Sequence, residues 1–201
     1  MPRKVVPMIT GEKYHVFNRG VDKRIIFNKK QDYIRFYKCL SLFNSKSPIQ
    51  DFSRAETNQS KIDDRLVQIE AYALLPNHFH LIVQQLCDDG VSEFIKRLLG
   101  GYTSYFNSKY TRSGALFQGT YKRIHIESDE YYNYLFSYVN ENHFVHDIER
   151  PEDIIYSSSN HYQNKTKSAL LDEFESDYDF KNSIRLAKDI SQRRDILKTE
   201  V

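Results

Sequence analysis

Two hydrophobic periods alternate along this chain, and the points where one gives way to the other divide it into elements. Lys13 to Arg19 carries Tyr, Val and Phe in a short run ended by Gly20 and reads as a strand. From Gln31 to Phe43, apolar and aromatic residues fall at Tyr33, Phe36, Tyr37, Leu40 and Phe43, the spacing of one helix face. Ser45 to Ile62 is polar, contains Pro48 and reads as a surface loop. Arg65 to Leu75 and His78 to Gln85 read as strands, joined into a hairpin by the Pro76-Asn77 turn. Helical spacing returns from Val91 to Tyr110, at Phe94, Ile95, Leu98, Leu99, Tyr102, Tyr105 and Phe106, with Gly100-Gly101 marking a kink in its middle. Gly114 to Gly119 reads as a loop and Tyr121 to Glu127 as a fourth strand. Ser128-Asp129-Glu130 then opens a helix that runs to Asn142.

That order predicts an α+β fold, a ferredoxin-like β-α-β-β-α-β antiparallel sheet with one added helix at its C-terminal end. Helices on one face of such a sheet would leave the other face for a ligand. The domain is expected to span residues 1–147. Beyond Pro151 the chain turns acidic, with Tyr156 to Ser159 as a link and Leu170 to Ile190 as a small helical tail, so 148–201 reads as a partly helical extension.

Composition narrows the function classes. No apolar run approaches the roughly 20 residues of a membrane span, and Met1 to Lys13 lacks the apolar core of a signal peptide. A cytoplasmic, nucleoid-associated protein with no membrane partner is the expectation. Cys39 and Cys87 stand alone, which excludes a zinc ribbon. Residues 1–50 hold eleven Lys and Arg against three Asp and Glu, and residues 91–126 six against one, while the segments after each are net acidic. Two basic segments flanking one strand suggest a surface for a polyanion.

The strand between those basic segments carries His78-Phe79-His80. Side chains two apart on a strand share a face, so both imidazoles project together while Phe79, Leu81 and Val83 point into a core. Such a pair can grip one divalent metal, or it can be the polar face of a half-buried strand. On the last helix, Tyr138 and Asn142 are four apart and share a face. Two imidazoles and an amide oxygen suit a divalent cation that polarises a phosphate. A phenolate beside it could attack phosphorus and form a phosphotyrosine. Asn142 could instead be a helix C-cap.

Four stretches together resemble the single-tyrosine HUH transposases, most closely the REP-associated tyrosine transposase branch. They are Tyr14 to Gly20, Leu75-Pro76-Asn77-His78-Phe79-His80, the loop Tyr110 to Lys122 around Phe117-Gln118-Gly119, and Tyr138-x-x-x-Asn142. The resemblance spans roughly residues 10–145. It implies that His78, His80 and Asn142 hold Mg²⁺ or Mn²⁺ and that Tyr138 is the nucleophile. It also implies that single-stranded or hairpin DNA is cleaved to a 5′-phosphotyrosine and a 3′-hydroxyl, then rejoined without ATP. Two positions depart from the family pattern: His143 stands where Pro usually follows the Asn, and Thr120 where the loop often has Arg, which removes one phosphate contact.

The other aromatic and basic residues divide by spacing. Tyr132 shares core-like spacing with Phe136 and Val139, and Tyr134, one turn before Tyr138, is the alternative nucleophile. Tyr102 and Phe106 are expected in the core, and Lys109, Arg112, Lys122 and Arg123 on DNA. His15 is expected to be a strand-face residue, His125 to touch either DNA or solvent, and His143 and His146 to sit at a helix end. Two other functions fit the fold: a non-catalytic nucleic-acid-binding module, or a metal-dependent phosphodiesterase that uses water and needs no Tyr138. Monomer and homodimer are equally compatible with the sequence.

Overall fold

A computed structural model describes residues 7–47, 64–142, 157–164, 168, 170–171, 179 and 181–186. Its elements are β1 (Lys13–Arg19), α1 (Lys30–Leu42), β2 (Val67–Leu75), β3 (His78–Gln85), α2 (Gly90–Lys109), β4 (Lys122–His125), α3 (Asp129–Asn140) and α4 (Ser159–Asn164). The strands form one sheet in the order β2-β3-β1-β4, with every neighbouring pair antiparallel. The expected α+β, ferredoxin-like arrangement is therefore present, and β1 and β3 have the bounds their alternation predicts. The 45–62 loop falls mostly outside the described residues, as does most of the 170–190 tail, of which 181–186 is helical.

The two helices of the split unit share a face, as expected, but the added third helix lies on the other. Phe79 on β3 packs against Phe36 of α1, which in turn meets Tyr102 of α2. The adjacent His80 points the other way and meets Tyr138 of α3. So α1 and α2 cover one face, and α3 covers the β2–β3 half of the second. Apolar residues alternate on both sides of β2 and β3, and both strands are almost wholly buried, which is why each needs a cover on two faces. Among the described residues, α3 leaves the β1–β4 half of the second face open to a ligand.

The segment expected as a link is also structured. Ser157 pairs with Ala73 at the β2 edge, and Ser158 accepts from the Tyr72 N–H at 3.0 Å while its own N–H donates to the Tyr72 carbonyl at 3.0 Å. The Tyr162 hydroxyl reaches the Glu70 carbonyl at 2.5 Å, and its ring meets Phe136 of α3. Glu70 is the extra residue of a bulge in β2, which turns its carbonyl to the edge.

Two residues explain how the helical layer is held. Asp32 is fully buried at the third position of α1, where one carboxylate oxygen accepts the N–H groups of Asn28 and Lys29, both at 2.9 Å. The carboxylate also receives Lys109 Nζ at 2.6 Å, the Tyr110 hydroxyl at 2.7 Å and the Tyr105 hydroxyl at 3.0 Å, all from the C-terminal end of α2. Burial alone would raise this carboxyl. The ammonium, the phenols and the Lys29 N–H outweigh it and hold Asp32 below the usual carboxylate range. Gly101 is the second. The helix α2 runs unbroken through Gly100-Gly101, so the expected kink is absent. A Cβ at Gly101 would lie 2.4 Å from the Phe43 ring, whereas nothing lies within 4 Å of one at Gly100. The pair marks a close helix crossing, not a bend.

Replacing Lys109 with Met is expected to cost about 1–3 kcal/mol in chemical denaturation, since it strips a charged donor from a buried carboxylate. The Asp32 contribution should be complete above the ordinary carboxyl range and fade as pH falls through the lower folded value. Gly101→Ala is expected to destabilise by about 1–3 kcal/mol through overpacking, and Gly100→Ala to stabilise by roughly 0.5–1 kcal/mol. Equal effects from the two glycines would remove the close-crossing explanation.

Candidate active site

The strand order sets the site. β1 lies against β3 with Phe17 opposite His80 and Arg19 opposite His78. On the other side of β1, β4 brings Lys122 opposite Phe17. Residues paired directly across strands share a face, so both histidines, Phe17, Arg19 and Lys122 look toward the second face. With Asn18 and Gln118 they line a cavity of about 160 Å³. The His78 and His80 rings are 5.1 Å apart at 83°, and the Tyr138 ring stands edge-on to His80 with centroids 5.6 Å apart. Tyr138 is half-buried. Tyr134, the alternative nucleophile, stacks on Tyr131.

Neighbouring side chains orient both imidazoles. His78 Nδ1 lies 2.6 Å from Asn77 Oδ1, and Asn77 Nδ2 donates to the Lys23 carbonyl, which identifies Oδ1 as the acceptor. His78 therefore carries its proton on Nδ1 and a lone pair on Nε2. His80 Nδ1 lies 2.9 Å from Nε2 of His15, which is buried between Phe17 and His80 in a stack of rings. Burial pushes the His15 imidazole down to about 4, so it is neutral at pH 7. His15 Nε2 and His80 Nδ1 share one proton, and the tautomer in which His15 accepts it leaves a lone pair on His80 Nε2. The Nε2 atoms of His78 and His80 are buried and make no hydrogen bond to any described residue.

Asn142 lies two residues beyond the last residue of α3, one turn after Tyr138. Glu141 occupies the C-cap, so Asn142 is not the cap. Both polar atoms of its amide are buried and have no hydrogen bond to any described residue. Two imidazoles and an amide oxygen are donor types that suit a divalent cation of nitrogen and oxygen preference, and of these three residues His78 and His80 line the cavity. Among the described residues, no three His, Cys, Asp or Glu side chains gather at one point. Such a cation would take its remaining oxygens from water or substrate.

The four basic residues expected on DNA are not brought together. Lys122 faces the histidines, its ammonium 5.8 Å from the Phe17 ring centroid. Arg123, next along β4, points to the opposite face. Lys109 is bound to Asp32 in the helical layer on that other face. Arg112 braces the loop after α2, donating to Asn107 Oδ1 at 2.6 Å and to the Ala115 carbonyl at 3.1 Å. His125 pairs with Glu12 at 2.8 Å, away from the histidine pair, and His143 and His146 lie outside the described residues. His15, Arg19 and Gln118 were not among the expected site residues. Alternation along β1 puts His15, Phe17 and Arg19 on one face, but the partner strand and register decide what that face meets.

Residues 9–142 match the family described as IS200-like transposases. The chain belongs to the IS200-like transposase family. The matched stretch runs from just before β1 through Asn142, so the histidine pair, Tyr138 and Asn142 of this IS200-like transposase all fall within it. A solved structure of a REP-associated tyrosine transposase bound to a REP hairpin is similar in fold, with a TM-score of 0.55. The similarity covers 89% of this chain and 95% of that one, at 16% sequence identity. No curated protein matches the sequence. Among the described residues, no helix is long and apolar enough to cross a membrane.

Proposed function

We propose that this IS200-like transposase cleaves and rejoins single-stranded DNA, presented as a hairpin, through a covalent 5′-phosphotyrosine on Tyr138. The observation that carries the reading is the edge-on contact of the Tyr138 ring with His80, 5.6 Å between centroids, beside a histidine pair whose Nε2 atoms are desolvated. Family membership supports the class of reaction, and the hairpin carried by the similar structure supports the class of substrate.

His78 and His80 would hold Mg²⁺ or Mn²⁺ through Nε2, with Asn142 adding its amide oxygen. When bound, such an ion offsets charge on a phosphate oxygen. Asn77 and His15 hydrogen-bond the two Nδ1 atoms and so fix the orientation of the rings. Tyr138 supplies the phenolic oxygen that bonds to phosphorus as the P–O3′ bond breaks. The phenol loses its proton and the departing 3′ oxygen gains one, so the step is balanced. Reversal regenerates the phosphodiester, because the bond energy is kept in the phosphotyrosine. Lys122, at the cavity wall, would neutralise a nearby phosphate.

An oligonucleotide suicide assay with hairpin single-stranded DNA tests the reading. A covalent protein–DNA adduct is expected from wild type and none from Tyr138→Phe, with hairpin binding preserved within a few-fold because the ring still packs. Cleavage without an adduct would identify a phosphodiesterase that uses water, and binding without cleavage a non-catalytic module. An adduct that persists in Tyr138→Phe would move the nucleophile to Tyr134.

Metal removal gives a separate check. EDTA should abolish cleavage by wild type, and Mn²⁺ or Mg²⁺ should restore it, but not in His78→Ala or His80→Ala. Because so few donors come from the protein, calorimetric Mn²⁺ affinity should rise about tenfold when a non-cleavable hairpin is bound, and hairpin affinity should rise by the same factor with Mn²⁺. Full cleavage in EDTA would eliminate the metal role.

A further inference from the structure

Arg19 is the last residue of β1, and its main chain is held on both sides. Its N–H donates to Asn18 Oδ1 at 2.8 Å and its carbonyl accepts from the Gln118 N–H at 2.8 Å. Gly20 follows, where a Cβ would lie 2.2 Å from the Arg24 carbonyl oxygen, so the chain can make this turn only without a side chain. Gly20 also pairs with Phe117, which docks the 114–119 loop onto the strand end. The loop thereby delivers Gln118 to the guanidinium, whose Nε–H donates to Gln118 Oε1.

The same guanidinium has an unmet requirement. Arg19 Nη1 is buried and has no hydrogen-bond acceptor among the described residues. Other basic side chains of the framework are internally compensated: Lys13 by Glu70, Arg97 by Glu93 and Lys109 by Asp32. Arg19 instead lines the cavity that His78, His80 and Lys122 share, directly across the strand pair from His78. A desolvated guanidinium N–H without an acceptor is costly, and its natural complement is an oxyanion taken at the fork of the two terminal nitrogens. With Nε committed to Gln118, the two terminal nitrogens remain for a ligand at the cavity that this side chain lines.

We propose that Arg19, braced by Gln118, grips a non-bridging oxygen of the phosphate that sits over His78 and His80. This rests on the phosphotyrosine reading for which phosphate is meant, but the grip itself requires only an oxyanion in the cavity. Arg19 is then a catalytic residue that touches the reacting group, and Gln118 a positioning residue that aims it. Arg19 would hold the phosphate in line with Tyr138 and offset the charge that builds on its oxygens as the phenolic oxygen enters and the 3′ oxygen leaves. Lys122, on its longer and more flexible stem, supplies charge without that directional fork.

Two measurements on the full chain test it. In the first, hairpin oligonucleotides carry either the ordinary phosphodiester or an uncharged methylphosphonate at the cleaved linkage. Arg19→Ala should cleave the phosphodiester about 100-fold more slowly than wild type. It should process the methylphosphonate within about threefold of wild type, because the oxygen charge that Arg19 serves is gone. Mn²⁺ affinity should be unchanged, which separates a phosphate contact from damage to the histidines. Arg19→Lys should rescue little, for want of the fork. Equal losses on both linkages, or no loss on either, would overturn the proposal. In the second, inorganic phosphate is titrated into ¹⁵N-labelled wild type and followed at the Arg19 Nε–H resonance. A saturable shift is expected and its absence would overturn the proposal. This arm needs no cleavage, so it judges Arg19 even if wild type forms no adduct, and even if Arg19→Ala does not fold.

Discussion

The register of β1 on β3 is the constraint on which the site depends. It sets Phe17 against His80 and Arg19 against His78, and puts His15 within hydrogen-bond reach of the His80 ring. A slip of one residue would present Val16 and Asn18 to the histidines and send Phe17 and Arg19 into the helical layer. Apolar burial opposes that slip, since Val16, Phe79 and Leu81 are all buried and belong on the α1–α2 side. The strand ends are pinned too: Gly20 N–H donates to the Asn77 carbonyl at 2.8 Å, and Gln85 N–H to the Glu12 carbonyl at 3.0 Å. The hydrophobic core is thus what aligns the polar cavity on its reverse side.

Placing Tyr138 takes a second set of contacts. The α3 helix is held to the β2 edge by buried polar groups as well as by packing. Ser158 Oγ, which accepts from Tyr72, donates to Asn140 Oδ1 at 2.5 Å, and Ser159 Oγ donates to Glu141 Oε1 at 2.6 Å. Phe136 packs on Tyr162, and the Lys13 ammonium, which pairs with Glu70, lies 4.2 Å above the Tyr132 ring. Residues 157–164 therefore do two jobs. They cover a strand edge that would otherwise expose its hydrogen-bonding groups, and they clamp the helix that carries the phenol. Buried, directional hydrogen bonds resist sliding more than apolar contact alone does, which suits a helix whose side chain must meet a fixed ring.

Charge in this protein cannot be read as a surface property from sequence segments. The basic stretch 91–126 includes Lys109, spent on buried Asp32, and Arg97, paired with Glu93 at 2.7 Å. Arg112 is occupied within its own loop. What faces the cavity is Lys122 from that stretch and Arg19 from the first. A guanidinium and an ammonium placed by strand pairing on either side of Phe17 form a more localised positive site than the segment totals suggest.

Much of the architecture was legible in the sequence because periodicity is a local property. The bounds of β1 and β3, the hairpin at Pro76-Asn77, the Ser128 helix start and the shared face of His78 and His80 all follow from residues near one another in the chain. The four-stretch resemblance extended that reading to the family. Tertiary structure decided what local patterns cannot carry. It put α3 on the face opposite α1 and α2, because β2 and β3 are apolar on both sides and need two covers. It made Gly100-Gly101 a close crossing with Phe43, because a helix alone does not reveal what lies beside it. It gave His15, a strand-face residue as expected, His80 as its partner, and brought Arg19 to Gln118, 99 residues apart in sequence. Alternation fixes which residues share a face. Which face they meet depends on strand order and register, and those come from the whole core packing at once.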